Sequence, residues 1–271
     1  MSKTLKLAVI GKDVSKSLSP PMHIFIAEHM GNSITYDKVS IPEPEFEGSI
    51  ESVFAAYDGF NVTIPFKLSI IPRLTGILGD APVYGAVNTV VSSTREGYNT
   101  DGQGFEMMVL NNGVDVNGRK VLLLGCGGAG RSVCKKLIDA GAEMYVYDKF
   151  PQSSAKVAAE FVATKVDEVQ PAPYYLIINA TGIGMHTSEG KSPVPEAVIQ
   201  GCEVALDLIY TPAESEFLRL ARVNGKKTIN GRAMLFYQAY FSECIYFNVA
   251  PDAAEAKRLF ELFEPEFEGI L

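Results

Sequence analysis

A lysine and an aspartate in the first part of the chain could form a proton-transfer pair. Lys67 comes two residues after Pro65, just beyond the strand-like segment 60–64, and Asp101 precedes Gly102. A lysine ammonium can stabilise and protonate the oxygen that becomes negative when a carbonyl is reduced. An adjacent carboxylate would orient the lysine and favour its charged form. The pair therefore suits the interconversion of a carbonyl and an alcohol; the alternative is a half-exposed strand followed by a solvated lysine.

Lys67 and Asp101 belong to two of four polar clusters, each at a strand end or at a helix start. Their hydroxyl, amide, lysine and carboxylate groups could offer many hydrogen bonds to a polyol or carboxylate substrate. Each cluster also has an ordinary explanation: Ser19 as a helix cap before two prolines, Asn88 as a strand end, or Asp101 as part of a turn. The clusters are S-L-S-P at 17–20, N-V-T-I-P-F-K at 61–67, A-V-N-T at 86–89 and N-T-D-G at 99–102.

The segment 60–64 alternates apolar and polar side chains. Because successive side chains of a strand point to opposite faces, Asn61 and Thr63 are predicted to share one face. Val62 and Ile64 are predicted to lie on the other face, in the core. This strand would form one wall of a binding site.

A glycine-rich segment marks a second candidate site. It follows the apolar run Lys120–Leu124 and opens a helical pattern that continues to about Ala140. This order is typical of a dinucleotide-binding fingerprint, in which a pyrophosphate lies at the helix N-terminus. Arg131 could face a phosphate or could be a solvated arginine. The loop residues are Gly125, Cys126, Gly127, Gly128, Ala129 and Gly130.

Asp148 ends the next predicted strand, Met144–Tyr147. A carboxylate in this position can accept hydrogen bonds from both ribose hydroxyls of NAD and would repel the 2′-phosphate of NADP. An exposed aspartate that caps the turn before Pro151 is the alternative, and Lys149 leaves some room for a phosphate. The sequence therefore predicts a nicotinamide cofactor, with NAD preferred and NADP possible.

Composition excludes several other classes of protein. The 271 residues are 47% hydrophobic and 21% charged, as in ordinary soluble proteins, and the net charge of -8 argues against nucleic acid as a partner. No apolar run is long enough for a signal peptide or a membrane span. The four cysteines form no C-x-x-C pair and the three histidines have no ligand spacing, so we expect no metal and no disulfide framework. A cytoplasmic protein is expected.

The apolar patterning predicts strands that alternate with helices, as in an α/β protein. A hairpin is predicted over Ala86–Tyr98 with its turn at Ser93–Gly97, and the chain is predicted to be helical from Arg232, with a break at Pro251. Further strands are predicted at Lys6–Ile10, Ser33–Val39, Tyr175–Asn179, Glu203–Asp207 and Lys227–Ile229, and helices at 19–31, 43–57 and 153–161.

A change in the order of the predicted strands and helices divides the chain into two predicted domains. Residues 1–102 mix strands and helices, whereas a more regular βαβ rhythm follows Gly118. We predict an N-terminal α/β substrate-binding domain over 1–102 plus 232–271, with the C-terminal helices returning to it. A Rossmann-type dinucleotide-binding domain is predicted over 103–231.

Taken together and in this order, the motifs resemble those of the shikimate dehydrogenases. The resemblance implies two α/β domains with a cleft between them. It also implies reversible hydride transfer between 3-dehydroshikimate and a nicotinamide cofactor, in the pathway to aromatic amino acids. Besides the four polar clusters and the glycine loop, the matching motifs are V-I-G at 9–11, N-A-T-G-I-G-M at 179–185, D-L-I-Y-T-P at 207–212 and G-x-x-M-x-x-x-Q-A at 231–239.

The same resemblance implies roles for individual residues. Ser17 and Ser19 would hold the substrate carboxylate with Tyr210 nearby, while Lys67 and Asp101 would form the proton-transfer pair. The ring hydroxyls would be held by Asn61, Thr63, Asn88 and Gln238. Cofactor contacts are expected at the glycine loop and at Arg131, Asp148, Lys149, Thr181, Gly182, Met185 and Gly231.

The chain departs from the family pattern at three places. Lys16 replaces a histidine that commonly precedes S-L-S-P, and Ser215 stands where threonine is usual. Asp148-Lys149-Phe150 replaces the Asn-Arg-Thr run common in NADP-using members, so the arginine that would grip the 2′-phosphate is absent. NADP preference is therefore not carried over from the family.

Other functions stay open on this sequence. The related quinate/shikimate dehydrogenases share most of the motifs and include NAD users. A non-catalytic sensor of a nicotinamide cofactor and a small acid is a second alternative, although retention of both Lys67 and Asp101 weighs against it. An enzyme like methylene-tetrahydrofolate dehydrogenase would have no reason for the S-L-S-P hydroxyl pair. A monomer and a homodimer are both compatible with the sequence.

Overall fold

The computed structural model describes residues 4–270, and the side chains of residues 186 and 270 are not described. The chain divides into two compact units, Met1–Gly104 with Phe236–Leu271, and Phe105–Leu235. Residues 1–3 and 271, which the first predicted domain includes, lie outside the described part of the chain. Which unit binds substrate and which binds cofactor stays a prediction.

Strands and helices alternate along most of the chain, as the patterning predicts. The strands are β1 (Leu5–Gly11), β2 (Ile34–Ser40), β3 (Gly59–Val62), β4 (Gly76–Ile77), β5 (Thr89–Val91), β6 (Glu96–Tyr98), β7 (Lys120–Leu124), β8 (Glu143–Tyr147), β9 (Thr164–Lys165), β10 (Tyr174–Asn179), β11 (Cys202–Asp207) and β12 (Lys227–Ile229). The helices are α1 (Ser19–His29), α2 (Phe46–Ala56), α3 (Ala81–Tyr84), α4 (Asp101–Asn111), α5 (Gly128–Asp139), α6 (Pro151–Phe161), α7 (Glu196–Gln200), α8 (Glu216–Val223), α9 (Arg232–Tyr246), α10 (Ala253–Phe263) and α11 (Phe267–Ile270).

The first unit contains a mixed sheet in the order β2-β1-β3-β5-β6-β4. β1 is parallel to both β2 and β3, and β3 is antiparallel to β5. β1 is buried from Leu7 to Gly11, which is typical of a central strand that is covered on both faces. The C-terminal ends of β1, β3 and β6 and the N-terminal end of β5 therefore lie at one edge of the sheet, which brings the polar clusters at 61–67, 86–89 and 99–102 together.

The structure corrects the predicted strand at 60–64. β3 ends at Val62, which is buried, whereas Ile64 is 74% exposed and does not reach the core. Thr63 still donates its N–H to the carbonyl of Ile10, but the chain then turns over residues 64–70 through a cis peptide bond before Pro65. The alternation of faces cannot continue past the last residue that lies in the sheet.

The predicted hairpin is present, but its turn is shifted. β5 and β6 pair antiparallel, with Val90 opposite Gly97. Gly97 therefore lies in a strand rather than in the turn. A Cβ at this position would lie 2.4 Å from Leu74 Cδ1 and 2.9 Å from Val87 Cγ2, so close packing of two side chains requires the glycine.

The second unit is a Rossmann-type fold. Its sheet has the order β12-β11-β10-β7-β8-β9, and each adjacent pair of strands is parallel. Counted within the unit, this is the doubly wound order 3-2-1-4-5-6. The order reverses between β7 and β10, and ligands of such sheets bind at the carboxyl ends of the strands beside this point. The glycine loop follows β7 directly.

A carboxylate is buried where the motifs at 179–185 and 207–212 meet. Asp207 is fully buried and accepts hydrogen bonds from Asn179 Nδ2 at 3.0 Å, from the Ile209 N–H at 3.0 Å and from Ser215 Oγ at 2.6 Å. Burial raises the pKa of Asp207 from 3.8 to about 6, against the opposing effect of these hydrogen bonds. Asp207 therefore joins the ends of β10 and β11 to the residue that caps α8.

The raised pKa predicts a pH-dependent stability. Between about pH 4 and 6 the folded protein keeps the Asp207 proton that the unfolded chain loses, so this contribution to the free energy of unfolding is lost as pH rises through 6. The asparagine of Asp207→Asn cannot ionise, so the variant does not lose this contribution as pH rises. Between pH 4 and 7 the difference in free energy of unfolding between the variant and wild type should change by on the order of 2–3 kcal/mol in favour of the variant. Urea unfolding at both pH values measures this; a constant difference between the two proteins would contradict it.

Candidate active site

The structure brings Lys67 and Asp101 into contact. Lys67 lies in the turn after β3, and Asp101 is the first residue of α4. Lys67 Nζ lies 2.5 Å from Asp101 Oδ2, and their side chains are 17% and 8% exposed. An ammonium has three N–H donors, so this pair can donate further hydrogen bonds to an incoming oxygen. The contact that the predicted proton-transfer pair requires is therefore present.

Asn88 holds the other side of the Asp101 carboxylate. Its Nδ2 donates to Asp101 Oδ1 at 2.9 Å, and its Oδ1 accepts the Thr100 N–H at 2.9 Å. The Asp101 N–H donates in turn to Asn99 Oδ1 at 3.0 Å. The carboxylate is thus fixed between the Asn88 amide and the Lys67 ammonium.

Asn61 is engaged entirely by protein groups. Its Oδ1 accepts from the Tyr36 hydroxyl at 2.8 Å and from the Tyr246 hydroxyl at 3.1 Å. Its Nδ2 lies within 3.2 Å of three acceptors, the Asn88 carbonyl and the hydroxyls of Thr89 and Ser242. An amide has two N–H donors and one carbonyl oxygen, so Asn61 could bind a ring hydroxyl only by giving up one of these bonds.

Ser17 and Ser19 present adjacent hydroxyls at the start of α1. Ser17 Oγ lies 3.1 Å from Ser19 Oγ and accepts the Ser19 N–H at 3.2 Å. The idea that Ser19 caps the helix is wrong: Leu18 occupies the cap position and Ser19 is the first helical residue. Both serines are half-buried, and Ser19 also forms a side-chain hydrogen bond with Tyr36, so their role as ligands of a carboxylate stays a prediction.

The remaining predicted substrate ligands lie in different places. Thr63 is half-buried just beyond β3, and Gln238 is half-buried on α9. Tyr210 belongs to the second unit, where it follows β11, and burial raises the pKa of its hydroxyl. Their roles as ligands stay predictions.

The glycine loop joins β7 to α5 and is shaped by its own backbone. Gly125 has φ +100, and a Cβ there would lie 2.8 Å from the Ala180 carbonyl. A Cβ on Gly130 would lie 2.1 Å from the Gly125 carbonyl, whereas Cβ atoms on Gly127 and Gly128 would meet nothing within 4 Å. The loop is therefore closed on the side of the sheet and open at the N-terminus of α5. An open N-terminus with free backbone approach fits a pyrophosphate.

Asp148 ties the loop to the end of β8. Its Oδ2 accepts the Cys126 N–H at 2.8 Å and its Oδ1 accepts the Phe150 N–H at 2.9 Å. Lys149 is exposed, with Nζ 4.9 Å from the centre of the exposed Phe150 ring. The carboxylate is thus fixed beside the loop. Its bond to the Phe150 N–H caps the turn before Pro151, as the alternative interpretation expected, whereas its bond to the Cys126 N–H was not predicted.

The other predicted cofactor residues are largely occupied within the second unit. Arg131 is not a solvated arginine: it is 16% exposed and pairs with Glu160 at 2.7 Å. Thr181 donates its N–H to Asn179 Oδ1 at 3.0 Å. A Cβ on Gly231 would lie 2.1 Å from the Leu208 carbonyl, so the backbone packs closely there. Met185 lies near Gly182, 3.5 Å from the position of a Cβ added there.

The sequence did not indicate several residues that form hydrogen bonds with the predicted site residues. In the first unit these form one buried polar network with Asn61 and Asn88. Ser242 lies one helical turn after Gln238, and this spacing was the available signal. The missed residues are Tyr36, Ser242 and Tyr246; Thr89 and Thr100 lie in the predicted clusters but were given no role of their own.

Neither a membrane-spanning helix nor a cluster of metal ligands is present in the described part of the chain. No helix within residues 4–270 is long and apolar enough to cross a membrane. Among the side chains that the structure describes, no group of three histidine, cysteine, aspartate or glutamate residues could hold a metal ion.

Comparison with known proteins gives one consistent result. A family profile described as the shikimate dehydrogenase substrate binding domain matches residues 9–90. The shikimate dehydrogenase (NADP(+)) of Carboxydothermus hydrogenoformans is 34% identical over 269 residues, which cover 94% of this chain and 96% of the relative. The structure of shikimate 5-dehydrogenase from Thermus thermophilus in complex with NADP(H) and shikimate matches with a TM-score of 0.87 and 32% identity, over 99% of this chain and 100% of that one. A chorismate mutase/shikimate 5-dehydrogenase fusion protein from Clostridium acetobutylicum matches with a TM-score of 0.89 and 34% identity, over 98% and 100%. The chain therefore belongs to the shikimate dehydrogenase family.

Proposed function

We propose that this protein catalyses the reversible reduction of 3-dehydroshikimate to shikimate with a nicotinamide cofactor. The observation that carries the proposal is the 2.5 Å contact between Lys67 Nζ and Asp101 Oδ2, with Asn88 on the other carboxylate oxygen. A non-catalytic sensor would not need an acid–base pair that is held on both sides. Family membership and the open glycine loop support the same conclusion.

Each side chain has a proposed part in the reaction. A bound reduced nicotinamide supplies the hydride to the carbonyl carbon. Lys67 donates a proton from Nζ to the carbonyl oxygen as negative charge develops there, and in the reverse direction it takes the alcohol proton. Asp101 keeps the ammonium oriented. Ser17 and Ser19 hold the substrate carboxylate, and Thr63 and Gln238 hold ring hydroxyls. Asn61 and Asn88, whose amides are engaged by protein groups, bind a ring hydroxyl only by giving up one of these hydrogen bonds.

Steady-state kinetics with two acids test this function. We expect oxidation of shikimate with a clear excess of kcat/KM over quinate. Much faster oxidation of quinate would favour a quinate/shikimate dehydrogenase. Binding of shikimate and cofactor without any cofactor reduction would favour the sensor and overturn the proposed reaction.

The cofactor preference depends on Asp148. The relatives carry NADP(+) in their names, but here a carboxylate fixed by two backbone N–H groups stands beside the glycine loop. A 2′-phosphate near it would suffer like-charge repulsion. We propose that this chain prefers NAD, with Lys149 as an exposed cation that could partly accept a phosphate.

Removing the charge of Asp148 should shift the preference. We expect Asp148→Asn to raise the ratio of kcat/KM for NADP to that for NAD by about 10-fold, which corresponds to ~1.4 kcal/mol of relieved repulsion. Asp115→Asn is a matched control, because Asp115 Oδ1 also accepts a backbone N–H two residues later, from Asn117 at 3.1 Å. Preference for NADP in the wild type, or an unchanged ratio in the variant, would contradict the role of Asp148.

A further inference from the structure

One hydroxyl on the C-terminal helix α9 links the elements that carry the candidate site. Ser242 is fully buried, and its Oγ donates to the Gln238 carbonyl at 2.9 Å. It also lies 3.1 Å from Asn61 Nδ2, 2.8 Å from Thr89 Oγ1 and 3.2 Å from Thr100 Oγ1. The hydroxyl therefore joins α9 to β3, to β5 and to the residue before α4.

A short chain of hydrogen bonds leads from this hydroxyl to the proton-transfer pair. Thr100 Oγ1, which contacts Ser242, accepts from Asn88 Nδ2 at 3.0 Å. The same Nδ2 donates to Asp101 Oδ1, and Asp101 Oδ2 contacts Lys67. Thr100 is also the residue directly before Asp101, so the backbone provides a second connection.

The position of α9 in the first unit is fixed by two residues that follow Ser242. Glu243 Oε1 lies 2.6 Å from His23 Nδ1 on α1, and both side chains are fully buried. One turn further on, the Tyr246 hydroxyl donates to Asn61 Oδ1. Because these anchors hold the helix, the Ser242 hydroxyl can act as a fixed point for the groups that contact it.

We propose that Ser242 is a positioning residue for the reaction: it sets Asn61, Thr89 and Thr100, and through Asn88 it orients Asp101 against Lys67. This inference rests on the proposed function. It also gives Asn61 a place in the network that orients the pair, since its amide is used by protein partners. A small displacement of an acid–base pair slows the chemical step more than it weakens binding.

The test compares Ser242→Ala with Ser154→Ala. Ser154 is also buried and helical and donates to a backbone carbonyl, that of Pro151 at 3.1 Å, but it lies in the second unit. We expect Ser242→Ala to lower kcat for shikimate oxidation by about 10-fold with little change in KM. The primary deuterium isotope effect on kcat, with shikimate deuterated at the reacting carbon, should rise. Ser154→Ala should leave both quantities unchanged.

A second variant covers the case in which Ser242→Ala does not fold. Ser242→Cys keeps a side chain of similar size with a weaker donor. Its kcat should lie between the values for wild type and Ser242→Ala. Where Ser242→Ala does not fold, the kcat of Ser242→Cys should be several-fold below that of wild type. A kcat within twofold of wild type, or a loss matched by Ser154→Ala without a change in isotope effect, would overturn the role of Ser242. An inactive wild type would instead refute the proposed function.

Discussion

Replacing Lys67 by alanine is expected to lower the turnover of shikimate oxidation by about 10²–10⁴-fold, the range for loss of a positioned acid or base. The reason is specific to the site. Lys67 is the ammonium that contacts Asp101, and the carboxylate is already held by Asn88 on its other side. Without Nζ the carbonyl oxygen would have no adjacent acid in this cluster. The measurement is kcat at saturating substrate and cofactor.

A second lysine in the same unit provides the control. Lys12 also pairs with a carboxylate, Glu43 at 2.7 Å, but its side chain is 64% exposed and it lies outside the polar network. Lys12→Ala should keep kcat within about twofold of wild type, because Lys12 lies outside the polar network. An exposed ion pair also contributes little to stability, so the variant should stay folded. Near wild-type turnover by Lys67→Ala, with the protein folded, would remove Lys67 from the mechanism.

The features that the sequence predicted well depend on local patterns. Strand, glycine loop and helix follow one another within some twenty residues, so the Rossmann order of β7, the loop and α5 could be read directly. Likewise, the short polar motifs that contain Lys67 and Asp101 carry the resemblance to the shikimate dehydrogenases, which placed both residues in one proton-transfer pair. This is why the contact of Lys67 with Asp101 could be expected although 34 residues separate them.

The features that the sequence did not show depend on distant partners. Asn61 contacts Ser242, which is 181 positions away, and Tyr246, which is 185 positions away. The apolar periodicity of a strand does not indicate which side chains of a distant helix will contact it. The exposure of Ile64 depends on where β3 leaves the sheet, which residue type alone does not fix. For Asp148 the position was predicted, but the bond to the Cys126 N–H became apparent only once the loop and the end of β8 were seen together.

Substituting Gly130 by alanine is expected to damage the second unit and its cofactor site together. The added Cβ would lie 2.1 Å from the Gly125 carbonyl oxygen and 3.0 Å from its carbon. Both are backbone atoms, so the first turn of α5 must move away from the loop. We expect a loss of about 3 kcal/mol in the free energy of unfolding, at the upper end for overpacking. Affinity for the reduced cofactor should fall by at least about tenfold, because the loop can no longer hold its shape.

Gly128→Ala separates these two effects within the same loop. A Cβ on Gly128 would meet nothing within 4 Å, so the unfolding free energy should stay close to that of wild type. The methyl group would nevertheless enter the open space where we propose that the pyrophosphate lies, and cofactor affinity should fall. Urea unfolding and titration of cofactor fluorescence measure the two quantities independently. If Gly130→Ala unfolded like wild type, the close approach of α5 to the loop would not constrain this position. If Gly128→Ala bound cofactor like wild type, the pyrophosphate would lie elsewhere.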